Sequence, residues 1–189
     1  MIRNKLLIVI LLSMFSVSVS AQQLNIALLK YRGGGDWYGN PTSMPNLVRF
    51  CNQEIGTDIN PEVPTVEPSS PDIFNYPYVY MTGHGNVVFD AVEAQNLRNY
   101  LIGGGFLHID DNYGIRQYIE PQMKKVFPEL DFVELPYSHE IFKEPYSFPN
   151  GLPKIHEHDN KAPQLFGFIY DGLWCGACIW SIYCSDGYQ

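Results

Sequence analysis

The stretch from Tyr78 to Asp111 constrains this chain more than any other. Tyr78-Val79-Tyr80-Met81 is a short apolar run of the kind buried on both faces of a sheet, and Gly83-His84-Gly85 ends it. Asp90 and Glu93 then stand in the order of a capping box at a helix start. Ala94, Leu97 and Leu101 follow at helical spacing, and Gly103-Gly104-Gly105 stops the helix. Phe106-Leu107-His108-Ile109 is a second buried strand, running out into Asp110-Asp111. Strand, helix and strand within about 34 residues make a βαβ unit, and that unit builds parallel sheets.

The rest of the chain is arranged around this unit. Ile26-Ala27-Leu28-Leu29 predicts a strand that feeds a loop from Tyr31 to Tyr38. Gly33, Gly34 and Gly35 in that loop allow close approach to a ligand, although their spacing is not the dinucleotide fingerprint. The loop is expected to run to Pro45, with Ser43 or Asn46 capping a helix over Leu47, Val48, Phe50 and Cys51. Prolines 61, 64, 68, 71 and 77 predict mainly loop, with one short strand near Val63–Val66. Beyond the βαβ unit, Ile115, Tyr118 and Ile119 read as a helix. Pro121 is expected to restart it at a first-turn position, with Met123, Val126 and Phe127 inward. Asp131–Leu135 and Phe166–Tyr170 are candidate strands, and Asp171-Gly172 is a hairpin turn that sends the chain back at Leu173.

Residues 1–21 read as a secretory signal peptide. Arg3 and Lys5 precede an apolar run from Leu6 to Leu12, and Val19-Ser20-Ala21 supplies a cleavage pattern before Gln22. The run is too short for a membrane anchor, and nothing later is long and apolar enough to span, so the mature chain is expected to be periplasmic or extracellular. Residues 22–189 then form a single α/β domain whose core is supplied by a 46% apolar composition rich in Tyr and Phe. Losing Arg3 and Lys5 takes the formal net charge from −8 to −10. An acidic chain without a basic patch is not expected to bind nucleic acid.

Several longer motifs resemble a known family. They are Tyr80-Met81-Thr82-Gly83-His84-Gly85, Leu97 to Asp111, Met123-Lys124-Lys125-Val126-Phe127-Pro128, and Gly151-Leu152-Pro153-Lys154-Ile155-His156-Glu157-His158. Together they are similar to a family of exported or membrane-anchored bacterial domains, domain of unknown function 4159. The resemblance implies a glutamine amidotransferase-like or flavodoxin-like fold: an α/β three-layer sandwich with a mainly parallel sheet, ending here in a C-terminal β-hairpin. No established activity comes with it. Glutamine amidotransferases use a Cys nucleophile at a strand–helix elbow, and here Gly83-His84-Gly85 holds that place without one. Residues 173–189 are expected to be atypical or truncated relative to the family, with a marginally packed return strand.

Ligands of open parallel sheets bind at the carboxyl ends of strands. Three such ends carry polar groups. Arg32, Gly33, Gly34, Gly35, Asp36 and Trp37 follow the first strand, and Gly83 and Gly85 flank His84 after the next. Asp110 and Asp111 end the third. The glycine-flanked amides at His84 suit an anion. His84 with Asp110 or Asp111 is the candidate acid–base set, and the plainer role of those aspartates is to cap the next helix. Trp37 and Tyr38 suit stacking on a sugar ring or packing in the core. His108, inside a strand, is expected to bond within the fold.

Two further groups complete the candidates. His156 and His158 alternate on an extended segment and form a candidate divalent-metal pair, with imidazole suited to a transition metal. Cys175 and Cys178 form a C-x-x-C pair, but a redox site needs its first Cys at a helix N-terminus and a fold to follow. A structural disulfide among Cys175, Cys178 and Cys184 fits an oxidising compartment better. The expected function is binding of a small polar or carbohydrate ligand, or a protein partner, at the carboxyl edge. The alternative is a hydrolase-like or lyase-like enzyme, metal-dependent in one version, without a Cys nucleophile.

Overall fold

A computed structural model of the chain describes residues 23–111, 114–153, 163–170 and 173–181, the last of these as backbone only. The leader, His156, His158, Asp171, Gly172 and Cys184 lie outside the described residues. Seven strands form one sheet: β1 (Ile26–Leu29), β2 (Thr65–Val66), β3 (Tyr78–Gly83), β4 (Phe106–Asp111), β5 (Val133–Glu134), β6 (Gln164–Tyr170) and β7 (Leu173–Ser181). Their order is β2-β1-β3-β4-β7-β6-β5. Pairing is parallel from β2 through β7 and antiparallel from β7 to β5.

Strand alternation sorts the side chains into two faces. Ile26 and Tyr80 pack under helix α1 (Ser43–Glu54), against Met44 and Val48. Ala27, Leu29, Val79, Met81, Leu107 and Ile109 face the other way. There they meet Leu97 and Leu101 of α2 (Ala91–Ile102) and Ile119 and Met123 of α3 (Arg116–Val126). Helix, sheet and helices are the three layers of an α/β sandwich. Leu97, Leu107, Ile109, Ile119 and Met123 are fully buried. Each is worth roughly 2–3 kcal/mol of apolar transfer, so this larger core anchors the sheet.

The βαβ unit forms as its residues dictate. Asp90 accepts from the Val92 and Glu93 amides while Glu93 reaches back to the Asp90 amide, and Gly103 closes the helix. Strand β3 runs on to Gly83 and β4 to Asp111, two residues past their apolar runs. The parallel register therefore pairs Thr82 with Asp110 and Gly83 with Asp111.

Two local expectations are corrected. Helix α1 begins at Ser43 with Pro45 inside its first turn, where a missing N–H costs nothing. Neither Ser43 nor Asn46 caps it: Thr42 precedes it without a side-chain cap bond, and the Ser43 hydroxyl donates to the Asn40 carbonyl at 2.9 Å. Pro121 does not restart a helix but sits within α3. Only one backbone bond is lost there, and buried Ile119, Met123 and Val126 on either side hold the helix together. Strand β7 runs through the interior of the sheet. Its backbone lies between β4 and β6, pairing Leu107 with Ala177 on one side and Ile179 with Phe166 on the other. Opposite the single step from Gly167 to Phe168, β7 runs from Cys178 to Cys175, so Gly176 and Ala177 form a bulge.

Candidate functional site

The winding of the sheet reverses between β1 and β3. The helix after β1 covers one face and the helix after β3 covers the other. Doubly wound sheets leave a crevice outside the strand ends at such a switch point. Asp36 comes from the loop after β1, and His84 from the loop after β3. The two loops zip together: the Gly35 amide donates to the Asn86 carbonyl at 3.0 Å, Asp36 to His84 at 3.2 Å, and Val88 to Arg32 at 2.8 Å. A Cβ on Gly35 would stand 2.7 Å from the His84 carbonyl oxygen, so only glycine permits this approach. Gly33, Gly34, Gly83 and Gly85 hold positive φ and bend the two loops toward each other. These glycines bring backbone to backbone, with Gly34 left facing open space.

The result is a carboxylate–imidazole couple. The His84 amide donates to Asp36 Oδ1, and His84 Nδ1 lies 3.1 Å from Asp36 Oδ2. Burial pushes the Asp36 carboxyl up, but the His84 amide and ring outweigh it and hold it below its ordinary value. The His84 amide expected to await an external anion is thus occupied by the chain's own carboxylate. The His84 side chain is 51% exposed, and its Nε2 has no partner among the described residues. No hydrogen bond or ion pair joins His84 to Asp110 or Asp111 among the described residues; the carboxylate that orients it is Asp36.

Asp110 and Asp111 divide between two roles because neighbouring strand residues point to opposite faces. Asp111 faces the α2–α3 side, and its Oδ1 accepts from the Ile115 amide at 2.9 Å, steadying the entry to α3. Asp110 faces α1 and is 6% exposed. Tyr80 donates to its Oδ2 at 2.6 Å. Burial pushes the Asp110 carboxyl up to about 7, against the Tyr80 hydrogen bond and with help from the Asp111 charge. Around this pair stand Thr82, which accepts from Asn40 Nδ2 at 3.2 Å, and buried Ser43 at the start of α1. Tyr80, Thr82, Asn40 and Ser43 were not candidates from the sequence. The signal for two of them was present: Tyr80 and Thr82 share the strand parity that sets His108 beside Asp110.

Other candidates have structural duties. Arg32 holds the start of α2, with Nε on Glu93 Oε1 at 3.0 Å, and Nη2 on Glu93 Oε2 at 2.8 Å and Asp90 Oδ2 at 2.6 Å. Trp37 packs against the main core and edge-on to Tyr38, whose ring is exposed. His108 bonds the Tyr78 hydroxyl through Nδ1, and desolvation lowers its pKa to about 3, so it stays neutral. Cys51 is a free, partly buried thiol on α1, packed toward Met44 and Val48, and burial raises its pKa, the reverse of what a nucleophile needs. Cys175 and Cys178 lie on strand β7, not at a helix start.

Two grooves lie away from this edge. One of about 420 Å³ is lined by Asn25, Asn60, Asn75 and Tyr76 at the amino end of the sheet. Another of about 460 Å³ follows α3 past Arg116, Glu120, Lys124 and Phe168. The titratable groups of the second are paired with each other, Arg116 with Glu120 and Lys124 with Asp131, each at 2.6 Å. Among the described residues, no group of three or more His, Cys, Asp and Glu side chains could hold a metal ion. No described helix is long and apolar enough to cross a membrane.

A family model described as a domain of unknown function, number 4159, matches residues 25–186, and the chain belongs to that family. No curated protein matches it.

Proposed function

We propose that this member of the domain of unknown function 4159 family is an exported domain that binds a small polar ligand at the carboxyl edge of its sheet. The observation that carries the reading is the Asp36–His84 couple at the switch point. A carboxylate on Nδ1 makes that nitrogen the inward donor and leaves Nε2 on the exposed side of the ring. With His84 held by Asp36 rather than by the strand-end aspartates, a binding module is favoured over the catalytic set expected from them. A thermal-shift screen of small polar compounds on the chain from Gln22 tests this. At least one compound is expected to raise the melting temperature of the wild type and to leave His84→Ala unmoved. Hits that stabilise both proteins equally would place the site elsewhere.

The same couple supports a second reading, a hydrolase-like enzyme in which Asp36 orients His84 as general base toward a water. Turnover of a hydrolysable ligand, abolished by His84→Ala and weakened by Asp36→Ala, would favour it over binding alone. The metal version rests on His156 and His158, and elemental analysis of protein purified without a His-tag and incubated with zinc tests it.

A further inference from the structure

The buried wall of the carboxyl edge carries a polar atom that none of the described residues engages. Asp110 is 6% exposed, its Oδ2 is taken by the Tyr80 hydroxyl at 2.6 Å, and its Oδ1 has no hydrogen-bond partner among the described residues. A buried carboxyl oxygen without a partner costs free energy, so such an atom calls for a ligand or ordered water. The neighbouring polar groups are mostly spent on each other. Ser43 donates to the Asn40 carbonyl, Asn40 donates to Thr82, and Tyr80 donates to Asp110. What remains at the edge is one group on each wall, Asp110 Oδ1 on the buried side and His84 Nε2 on the exposed side. Thr82 is paired with Asp110 across the strands, and His84 follows Thr82 by two residues. One strand spacing and the reach of two residues keep the two backbones within about 12 Å, a gap that the two side chains and a sugar ring between them can span.

The donor inventory sets the chemistry. With Tyr80 donating to Oδ2, a proton on Asp110 sits on Oδ1 and makes it a donor, while His84, with Nδ1 turned to Asp36, meets a ligand through Nε2. A hydroxyl both donates and accepts, so two hydroxyls of one molecule satisfy both walls. Charge points the same way. Asp36 is ionised, and Arg32, the cation nearest the couple in sequence, is held by Asp90 and Glu93. An anion would meet net negative charge here.

We propose that Asp110 and His84 are the two walls of one subsite, and that the subsite takes an uncharged polyhydroxylated ligand of the monosaccharide class. The inference rests on the binding function proposed above and names its ligand class.

Calorimetric titration uses one ring scaffold in two charge states: D-glucose and N-acetyl-D-glucosamine against D-glucuronate. A neutral sugar is expected to bind the wild type more tightly than glucuronate. Asp110→Leu and His84→Ala are each expected to weaken it by about 3- to 10-fold, the worth of one hydrogen bond. Asp110→Asn, which keeps the shape and a donor, is expected to stay within about threefold. Should Asp110→Leu not fold, the wild type still decides: the Asp110 side-chain carboxyl carbon resonance is expected to move on saturation with a neutral sugar. Preference for glucuronate, loss on His84→Ala without any effect at Asp110, or no binding of any of the three sugars overturns the inference. The proposed binding function falls separately, when no compound in the wider screen depends on His84.

Discussion

Replacing Asp110 by Asn should change how stability depends on pH rather than stability alone. The folded chain holds the Asp110 proton to about pH 7, against an ordinary carboxyl value of 3.8. Between these values the folded state keeps a proton that the unfolded chain has released. Stability therefore falls as pH rises through this window, by about 1.4 kcal/mol per pH unit, and flattens above about pH 7. The whole span is worth about 4 kcal/mol, an order-of-magnitude figure for a carboxyl this buried. The amide introduced by Asp110→Asn carries no titrating proton and still offers Tyr80 an acceptor. Urea unfolding followed by Trp fluorescence at several values from about pH 4.5 to about pH 8.5 gives the free energy of each protein. The difference between wild type and Asp110→Asn should tilt steadily in favour of the mutant as pH rises to about 7, then stay level. Carboxylates that do not interact with Asp110 titrate alike in both proteins and cancel; Asp111, whose charge acts on Asp110, is the exception. Parallel curves across the window would mean that Asp110 is ionised in the fold, and the reasoning from its burial would be wrong.

Four shorter expectations follow from the same structure. Leu97→Ala, in the middle of the larger core, should cost about 2–5 kcal/mol by denaturant unfolding. Gly35→Ala should cost about 1–3 kcal/mol and open the contact between the two loops. Gly34→Ala, with open space around it, should cost only about 1–2 kcal/mol of backbone strain, so equal losses at both positions would contradict the zipped-loop description. Nitrogen NMR of the His84 ring should report a proton on Nδ1, and Asp36→Ala should lower the occupancy of that proton. Terminal sequencing of the protein recovered from the exported fraction should begin at Gln22, and a chain still beginning at Met1 would count against the leader.

The parts of the fold that were legible in the sequence are those carried by local periodicity. The unit from Tyr78 to Asp111, its Asp90–Glu93 cap and its glycine stop all lie within one stretch of chain, so each residue's role is set by near neighbours. The site was legible only as an edge. That Asp36, not Asp110, would hold His84 follows from how two glycine-bent loops meet across 48 positions of chain. No spacing rule reports such a meeting. Arg32 looked like a ligand contact because an isolated cation in a glycine loop has no visible partner, yet its partners stand 58 and 61 residues on. Pro121 misled for a different reason. Propensity places proline in a first turn, but tertiary packing of Ile119 and Met123 outweighs one lost backbone bond. The interior place of the final strand was not legible, because Gly176 and Ala177 carry little side chain to mark it. Only the register, with two extra residues of β7 opposite the step from Gly167 to Phe168, shows the bulge there.

The position of β7 has a consequence for how this protein acquires its shape. Its partner in the sheet's interior, β4, lies roughly seventy residues earlier in the chain, and Leu107 must wait for Ala177. Closing a loop of that size costs about 4 kcal/mol of chain entropy before any contact repays it. Until then β4 is an open edge with unpaired amides and carbonyls, and β6 and β5 have nothing to attach to. Synthesis delivers this strand after all the others described, so the sheet is completed late on an emerging chain. Under the export proposed above, late closure is an advantage: a chain that crosses a membrane unfolded stays threadable. The corresponding hazard is aggregation in the same interval, through an exposed β4 edge seeking a strand from another molecule.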